Sequence, residues 1–290
     1  ADGSANQVLK TDGSGALSWT AASSGASNVN GLSDALIEDN SLYLGQDPSS
    51  TTSTAEYNLS LGATALDAVT TGDGNTAVGF NALTANTSGE GNVAIGYNTL
   101  AANTTASQNL AMGYNALAIQ TTDGEYNTAV GNYTLDNNTI GDRNVALGYV
   151  ALTANSEGSK NTGIGTSSSK ANTTGSQNTS VGNSSLYSNT SASYNTAIGG
   201  RALYNANRTA DTDGYNTALG YNAGNTGTND ITTGNKNTLL GASTAASAAA
   251  GTNQTVIGYG ASGIANNSVT DRKSTRLNSS HRCISYAVFC

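Results

Sequence analysis

The only imidazole and the only thiols of this chain, His281, Cys283 and Cys290, lie within its last ten residues. A Cys and a His are raw material for a thiol nucleophile or a soft-metal site. Upstream of residue 271 there is neither, so such chemistry has no second foothold. Carboxylates are the next resource. Asp73, Glu90, Asp123 and Glu125 sit in Gly-rich turns. Calcium-binding β-rolls place Asp in a nine-residue Gly-rich repeat; neither that period nor a regular Asp placement is read here, and these residues read as solvated turns. Gly89-Glu90-Gly91 begins like a dinucleotide fingerprint but lacks the strand–helix context that such a loop needs. The sequence thus offers no catalytic set, no metal site and no cofactor site, and it reads as a non-enzyme.

Residues 271–290 depart from every trend upstream. Lys273 to His281 and Ile284 to Cys290 resemble the conceptual translation of a sequencing-library adapter. The segment is therefore expected to be artefactual, and it is left out of fold reasoning. No initiator Met and no signal-peptide pattern are seen at Ala1, so the chain is expected to be a fragment, with 264–270 the end of genuine sequence.

What remains is amides, small residues and a period. Aligning on one Gly gives Gly45, Gly62, Gly79, Gly96, Gly113, Gly131, Gly148, Gly165, Gly182, Gly199, Gly220, Gly241 and Gly258, mostly 17 residues apart, with one step of 18 and two of 21. Four residues before it stands Asn in eleven units, among them Asn75, Asn92, Asn109, Asn127, Asn144, Asn161, Asn178 and Asn195. Immediately before it is an aliphatic or Met, two before is usually Ala, and four after is often Leu. The run Asn-Thr-Ala-Val-Gly is a short strand by residue type and alternation. Such regularity predicts an all-β parallel β-solenoid, or β-roll, of about thirteen coils over residues 41–263.

Like positions then stack about 4.8 Å apart, giving a rod on the order of 60 Å. Asn over Asn is expected to form an amide ladder. The aliphatics at −1, with Thr at −3, are expected to face inward as a dry ribbon. Aromatics after the Gly, namely Phe80, Tyr97, Tyr114, Tyr149, Tyr221 and Tyr259, form either a stacking ladder or an exposed strip suited to sugar rings. Tyr57, Tyr126, Tyr194 and Tyr215 precede the motif Asn at irregular intervals and read as loop-surface residues. Residues 1–25 read as a hairpin, Gln7–Thr11 against 16–20, and 26–40 as an irregular connector. The two 21-residue steps read as enlarged loops.

Composition bounds the rest. Net charge is −8, and no basic stripe exists to neutralise phosphates, so nucleic acid is not expected as a partner. No apolar run approaches the ~20 residues of a membrane span. Large apolar side chains are too few per coil for a lone chain to be robust, and self-association along the axis is the natural remedy.

The unit Asn195-Thr196-Ala197-Ile198-Gly199 resembles the head repeat of trimeric autotransporter adhesins (YadA-type heads), a parallel β-roll in which three chains share a core. The longer unit with Ala-Leu after the Gly, and the opening Gly3–Trp19, look like segments of bacteriophage tail fibres. The resemblance implies a homotrimeric fibre shaft in a virion tail, with a host-surface receptor or glycan as the outside partner. Alternatively, it implies an adhesin head on a bacterial surface. An ice-binding solenoid is a third reading, set low because its Thr residues are expected to face inward.

Overall fold

The computed structural model describes residues 7–11, 17–21, 35–38, 40–45, 53–207 and 213–272. The turn at 12–15, the connector at 26–34 and the tail from 273 onward lie outside the described residues. The chain is an all-β parallel β-solenoid of about thirteen turns, with no helix among the described residues. It divides into two compact units, Ala1–Lys160 and Asn161–Cys290.

In the first unit β1 (Gln7–Thr11) pairs antiparallel with β2 (Leu17–Ala21). Then β3 (Ala35–Glu38) pairs antiparallel with β4 (Ser41–Leu44). Residues 35–38 are therefore a strand and not the irregular lead-in that their composition suggested. From β4 onward each strand adds in parallel to the one before: β5 (Leu59–Leu61), β6 (Thr76–Val78), β7 (Val93–Ile95), β8 (Leu110–Met112), β9 (Thr128–Val130) and β10 (Val145–Leu147). The second unit repeats the pattern with β11 (Thr162–Ile164), β12 (Thr179–Val181), β13 (Thr196–Ile198), β14 (Thr217–Leu219), β15 (Thr238–Leu240), β16 (Thr255–Ile257) and β17 (Val269–Asp271). In both, a motif position pairs with the same position one coil on, for example Ala94 with Ala111.

Which face lies inside is the reverse of the expectation. Ala at −2 is fully buried in coil after coil (Ala77, Ala94, Ala111, Ala129, Ala146, Ala197, Ala218). The aliphatics at −1 point outward, with Leu61, Met112, Leu147, Ile198, Leu219, Leu240 and Ile257 all exposed. Thr at −3 shares that outer face. Alternation only says that the two sets are on opposite sides. The decision falls to the amides: Asn at −4 must reach backbone carbonyls inside the coil, and it takes Ala with it. The narrow interior is then filled by Leu at +4. Leu66, Leu83, Leu100, Leu117, Leu135, Leu152, Leu186 and Leu203 are wholly buried.

Tight corners need left-handed backbone. The motif Gly has φ between +111° and +143°, and a Cβ on Gly79 would lie 2.4 Å from the Gly96 carbonyl oxygen. Up to three non-Gly positions per coil also sit there, as Asn115 (φ 53°), Leu117 (φ 51°) and Tyr126 (φ 59°) show. A left-handed residue with a Cβ costs roughly 1–2 kcal/mol. Burying a Leu contributes roughly 1.5–3 kcal/mol, which is enough to hold Leu117 in place.

Departures from the repeat are compensated locally. In the coil of Gly220 the +4 residue is Gly224, not Leu. Its space is occupied by Leu239, standing where Ala is usual, and by Ile231 from the 21-residue step, both buried. The enlarged loop at 226–233 therefore also contributes a core side chain. In the coils of Gly165 and Gly182 the core turns polar. Ser168, Ser169, Ser180 and Ser185 are buried and bond one another, with Oγ–Oγ distances of 2.6 Å (Ser168–Ser180), 2.8 Å (Ser169–Ser180) and 3.2 Å (Ser168–Ser185).

Candidate functional site

The motif Asn file does stack, but not amide on amide as expected. Each side chain works on backbone. Asn92 N–H donates to Asn75 Oδ1 (2.9 Å), Asn109 N–H to Asn92 Oδ1 (3.0 Å), Asn127 N–H to Asn109 Oδ1 (2.8 Å) and Asn144 N–H to Asn127 Oδ1 (2.9 Å). The second unit repeats this from Asn161 through Asn178 and Asn195. Meanwhile each Nδ2 donates across the coil: Asn75 to Gly89 O (2.8 Å), Asn92 to Ala106 O (2.9 Å) and Asn127 to Gly141 O (2.9 Å). Direct amide–amide bonds join the file from Asn178 onward, as in Asn195 Nδ2 to Asn178 Oδ1 (3.2 Å).

A second buried file lies at +7: Asn86, Asn103, Gln120, Asn138 and Asn155 in the first unit, Asn172 and Asn189 in the second. Here amide does meet amide, with Asn103 Nδ2 donating to Asn86 Oδ1 (2.8 Å), Asn155 to Asn138 (2.9 Å) and Asn189 to Asn172 (2.9 Å). Both files converge on the same carbonyls. Gly141 O accepts from Asn127 and from Asn138 (2.8 Å), and Gly158 O from Asn144 (2.8 Å) and Asn155 (2.8 Å). Both lone pairs of these buried carbonyls are thus used.

Gln120 marks the 18-residue step. One extra residue separates it from Gly124, and its side chain, one methylene longer than Asn, still donates to Gly124 O and accepts from Asn138 (3.1 Å) and Asn127 (3.2 Å). The repair is incomplete, because buried Asn103 Oδ1 accepts no hydrogen bond.

The aromatic positions form several groups. Phe80 stacks on Tyr97 (5.4 Å), and Tyr97 on Tyr114 (5.0 Å). The column then shifts to Tyr133, tilted against Tyr114 (5.3 Å) and edge-on to Tyr149 (6.3 Å). Desolvation, then the neighbouring Tyr114, holds the Tyr133 phenol above its ordinary range. Tyr221 and Tyr259 are exposed and belong to no ring pair among the described residues. Rings stacked face to face leave mainly edges for a ligand, so Phe80, Tyr97 and Tyr114 serve as a ladder more readily than as sugar platforms.

Tyr57, Tyr126, Tyr194 and Tyr215, each directly before the motif residue at −4, lie in left-handed backbone. Tyr194 stacks on Tyr215 (5.0 Å), and Tyr187, at +5, stacks on Tyr204 (4.8 Å). The +5 pair, Tyr187 and Tyr204, was not singled out in the sequence, since only these two coils carry Tyr there. The acidic residues Glu56, Asp73, Glu90, Glu125 and Asp142 likewise share position −6, more regular than read from the sequence. Asp73 Oδ1 there accepts the Glu56 N–H (2.8 Å), as Ser107 Oγ accepts that of Glu90 (3.0 Å). Among the described residues no group of three or more His, Cys, Asp or Glu is placed to hold a metal ion.

Comparison with protein-family models, with curated proteins and with solved structures finds no match to this chain.

Proposed function

We propose that the chain is a structural shaft that associates with two further copies of itself through the outward aliphatic face, as in a phage tail fibre. The observation that carries this reading is the outward −1 column, with Leu61, Met112 and Leu147 in the first unit and Ile198, Leu219, Leu240 and Ile257 in the second exposed, and Val78, Ile95, Val130, Ile164 and Val181 half-buried among them. Exposed apolar surface of that extent marks an interaction site. The occupant is set by spacing. A second copy presents the same side chains at the same interval, so every coil finds the same contact, which an unrelated globular partner does not offer. The resemblance of Asn195–Gly199 to trimeric heads supports three copies. The adhesin-head alternative shares this shaft and differs in what adjoins it: a membrane-anchor domain rather than a tail-fibre chaperone.

Light scattering under reducing conditions tests the reading. The expected mass is that of three chains, and Met112→Lys with Leu147→Lys should reduce it. A wild-type monomer would sink the proposal.

One observation favours a second reading. Thr162, Thr179, Thr196, Thr217, Thr238 and Thr255 stand in file at −3 on the outer face of the second unit. The ground for setting ice binding low, inward Thr, is therefore overturned. The same face cannot meet both ice and another chain. A monomer with thermal hysteresis would favour ice, and a trimer without it the shaft.

A further inference from the structure

Three pairs of tyrosines lie ring on ring in neighbouring coils: Tyr97 on Tyr114 (5.0 Å, 5° between planes), Tyr187 on Tyr204 (4.8 Å, 9°) and Tyr194 on Tyr215 (5.0 Å, 8°). Stacking holds the carbons ortho to each hydroxyl a side-chain rotation away from one another. Two reactive groups so held meet far more often than groups free in solution. We infer that Tyr194 and Tyr215 are an oxidative coupling site, joined as dityrosine by a haem peroxidase with hydrogen peroxide.

The step balances. Each phenol gives up one electron and one proton to become a phenoxyl radical. The two unpaired electrons form one carbon–carbon bond between ortho positions. Each ring hydrogen then moves to its oxygen, restoring both phenols. The chain loses two hydrogens, and one peroxide is reduced to two waters.

Surroundings rank the three pairs. Electron loss from a phenol is easier when a base takes the proton. The Asp213 carboxylate is the strongest influence on the Tyr215 phenol, holding it above its ordinary range, and is the base at hand for its proton, whereas Gln177 Nε2, 3.2 Å from the Tyr194 hydroxyl, donates and takes no proton. Cations oppose electron loss. Lys170 lies 5.6 Å from the Tyr187 ring and Arg201 4.8 Å from that of Tyr204. The order of reactivity is therefore Tyr194–Tyr215, then Tyr97–Tyr114, then Tyr187–Tyr204. Exposure alone orders the residues differently: Tyr57 (65%) and Tyr259 (73%) are more open than Tyr194 (39%) and Tyr215 (48%). The linked pair would close the 21-residue step between two coils with a covalent bond.

The full chain, treated at low concentration with peroxidase and limiting peroxide, is digested and its linked peptides identified by mass. The expected result is a dominant Tyr194–Tyr215 link, with the blue fluorescence of dityrosine. Tyr215→Phe, which keeps the stack, abolishes that link and leaves Tyr97–Tyr114 coupling in place. Asp213→Asn slows the reaction. Tyr194→Phe serves equally if Tyr215→Phe fails to fold, which circular dichroism would reveal. Coupling that follows exposure, through Tyr57 and Tyr259, overturns the inference. So does a Tyr194–Tyr215 yield no higher than in the urea-unfolded chain.

Discussion

At the scale of the residue, small differences decide whether a side chain fits. Gly113 has φ +131° and stacks with a would-be Cβ only 2.6 Å from the Gly131 carbonyl oxygen. Gly113→Ala should therefore cost about 3 kcal/mol, read from urea unfolding. Asn127 is harder to replace than its polarity suggests. Asn127→Asp keeps the acceptor for the Asn144 N–H but turns a carboxylate toward Gly141 O. Burial then raises the new carboxyl's folded pKa above its unfolded value. Its contribution is therefore most favourable in acid and lost as pH rises through the folded value. The variant should be unstable at neutral pH and recover partly in acid, seen in Tm against pH. Asp136 already shows the same sign in the native chain. Desolvation by burial pushes its carboxyl up, against hydrogen bonds from Thr153 and the backbone. Asp136→Asn should raise Tm slightly at neutral pH, with the gap closing in acid. Asn75 and its equivalents were recognisable in the sequence because one residue type recurs at one offset. Asn86 and its file were not, because Asn-Thr-Ser-Gly reads equally well as a solvated turn.

At the scale of the element, each coil behaves as a packing unit whose volume is kept even when its sequence is not. Gly224 and Leu239 exchange bulk across adjoining coils. Leu239→Ala alone should cost roughly 2–5 kcal/mol through the cavity it leaves. Gly224→Leu alone should also destabilise, since its Cβ would lie 2.9 Å from Leu203 Cδ2 and 3.0 Å from Leu239 Cδ1. Combined, the two should recover part of the loss, a non-additivity measurable by a double-mutant cycle. The three-residue strands were readable from Asn-Thr-Ala-Val-Gly, but which of their faces lies inside was not. Hydrophobicity favours burying Val78 and Ile95, whereas the amides of Asn75 and Asn92 need interior carbonyls, and that requirement wins. Alternation is symmetrical between the two outcomes, so a sequence read by period alone had no means to choose.

At the scale of the whole molecule, the period carried most of the fold and none of the function. Thirteen Gly residues, mostly 17 apart, imply a solenoid whatever it is for. The shaft reading rests on an outward apolar column, visible only after the interior was known. Deleting one full repeat, for example 92–108, should leave a folded solenoid by circular dichroism, because Asn75 would then meet Asn109 in register. Deleting a single residue within a strand, for example Ala94, should disrupt that coil, since the side chains beyond it in the strand would change sides. The stack in the first unit opens on a reversed strand. At its start, β3 runs against β4, so the first coil does not offer a bare parallel edge. A newcomer docking there in the solenoid's own direction would face a strand of opposite polarity. Sheets left unguarded recruit more sheet without limit. This single reversed strand denies a parallel newcomer its matching partner at the start of the first unit.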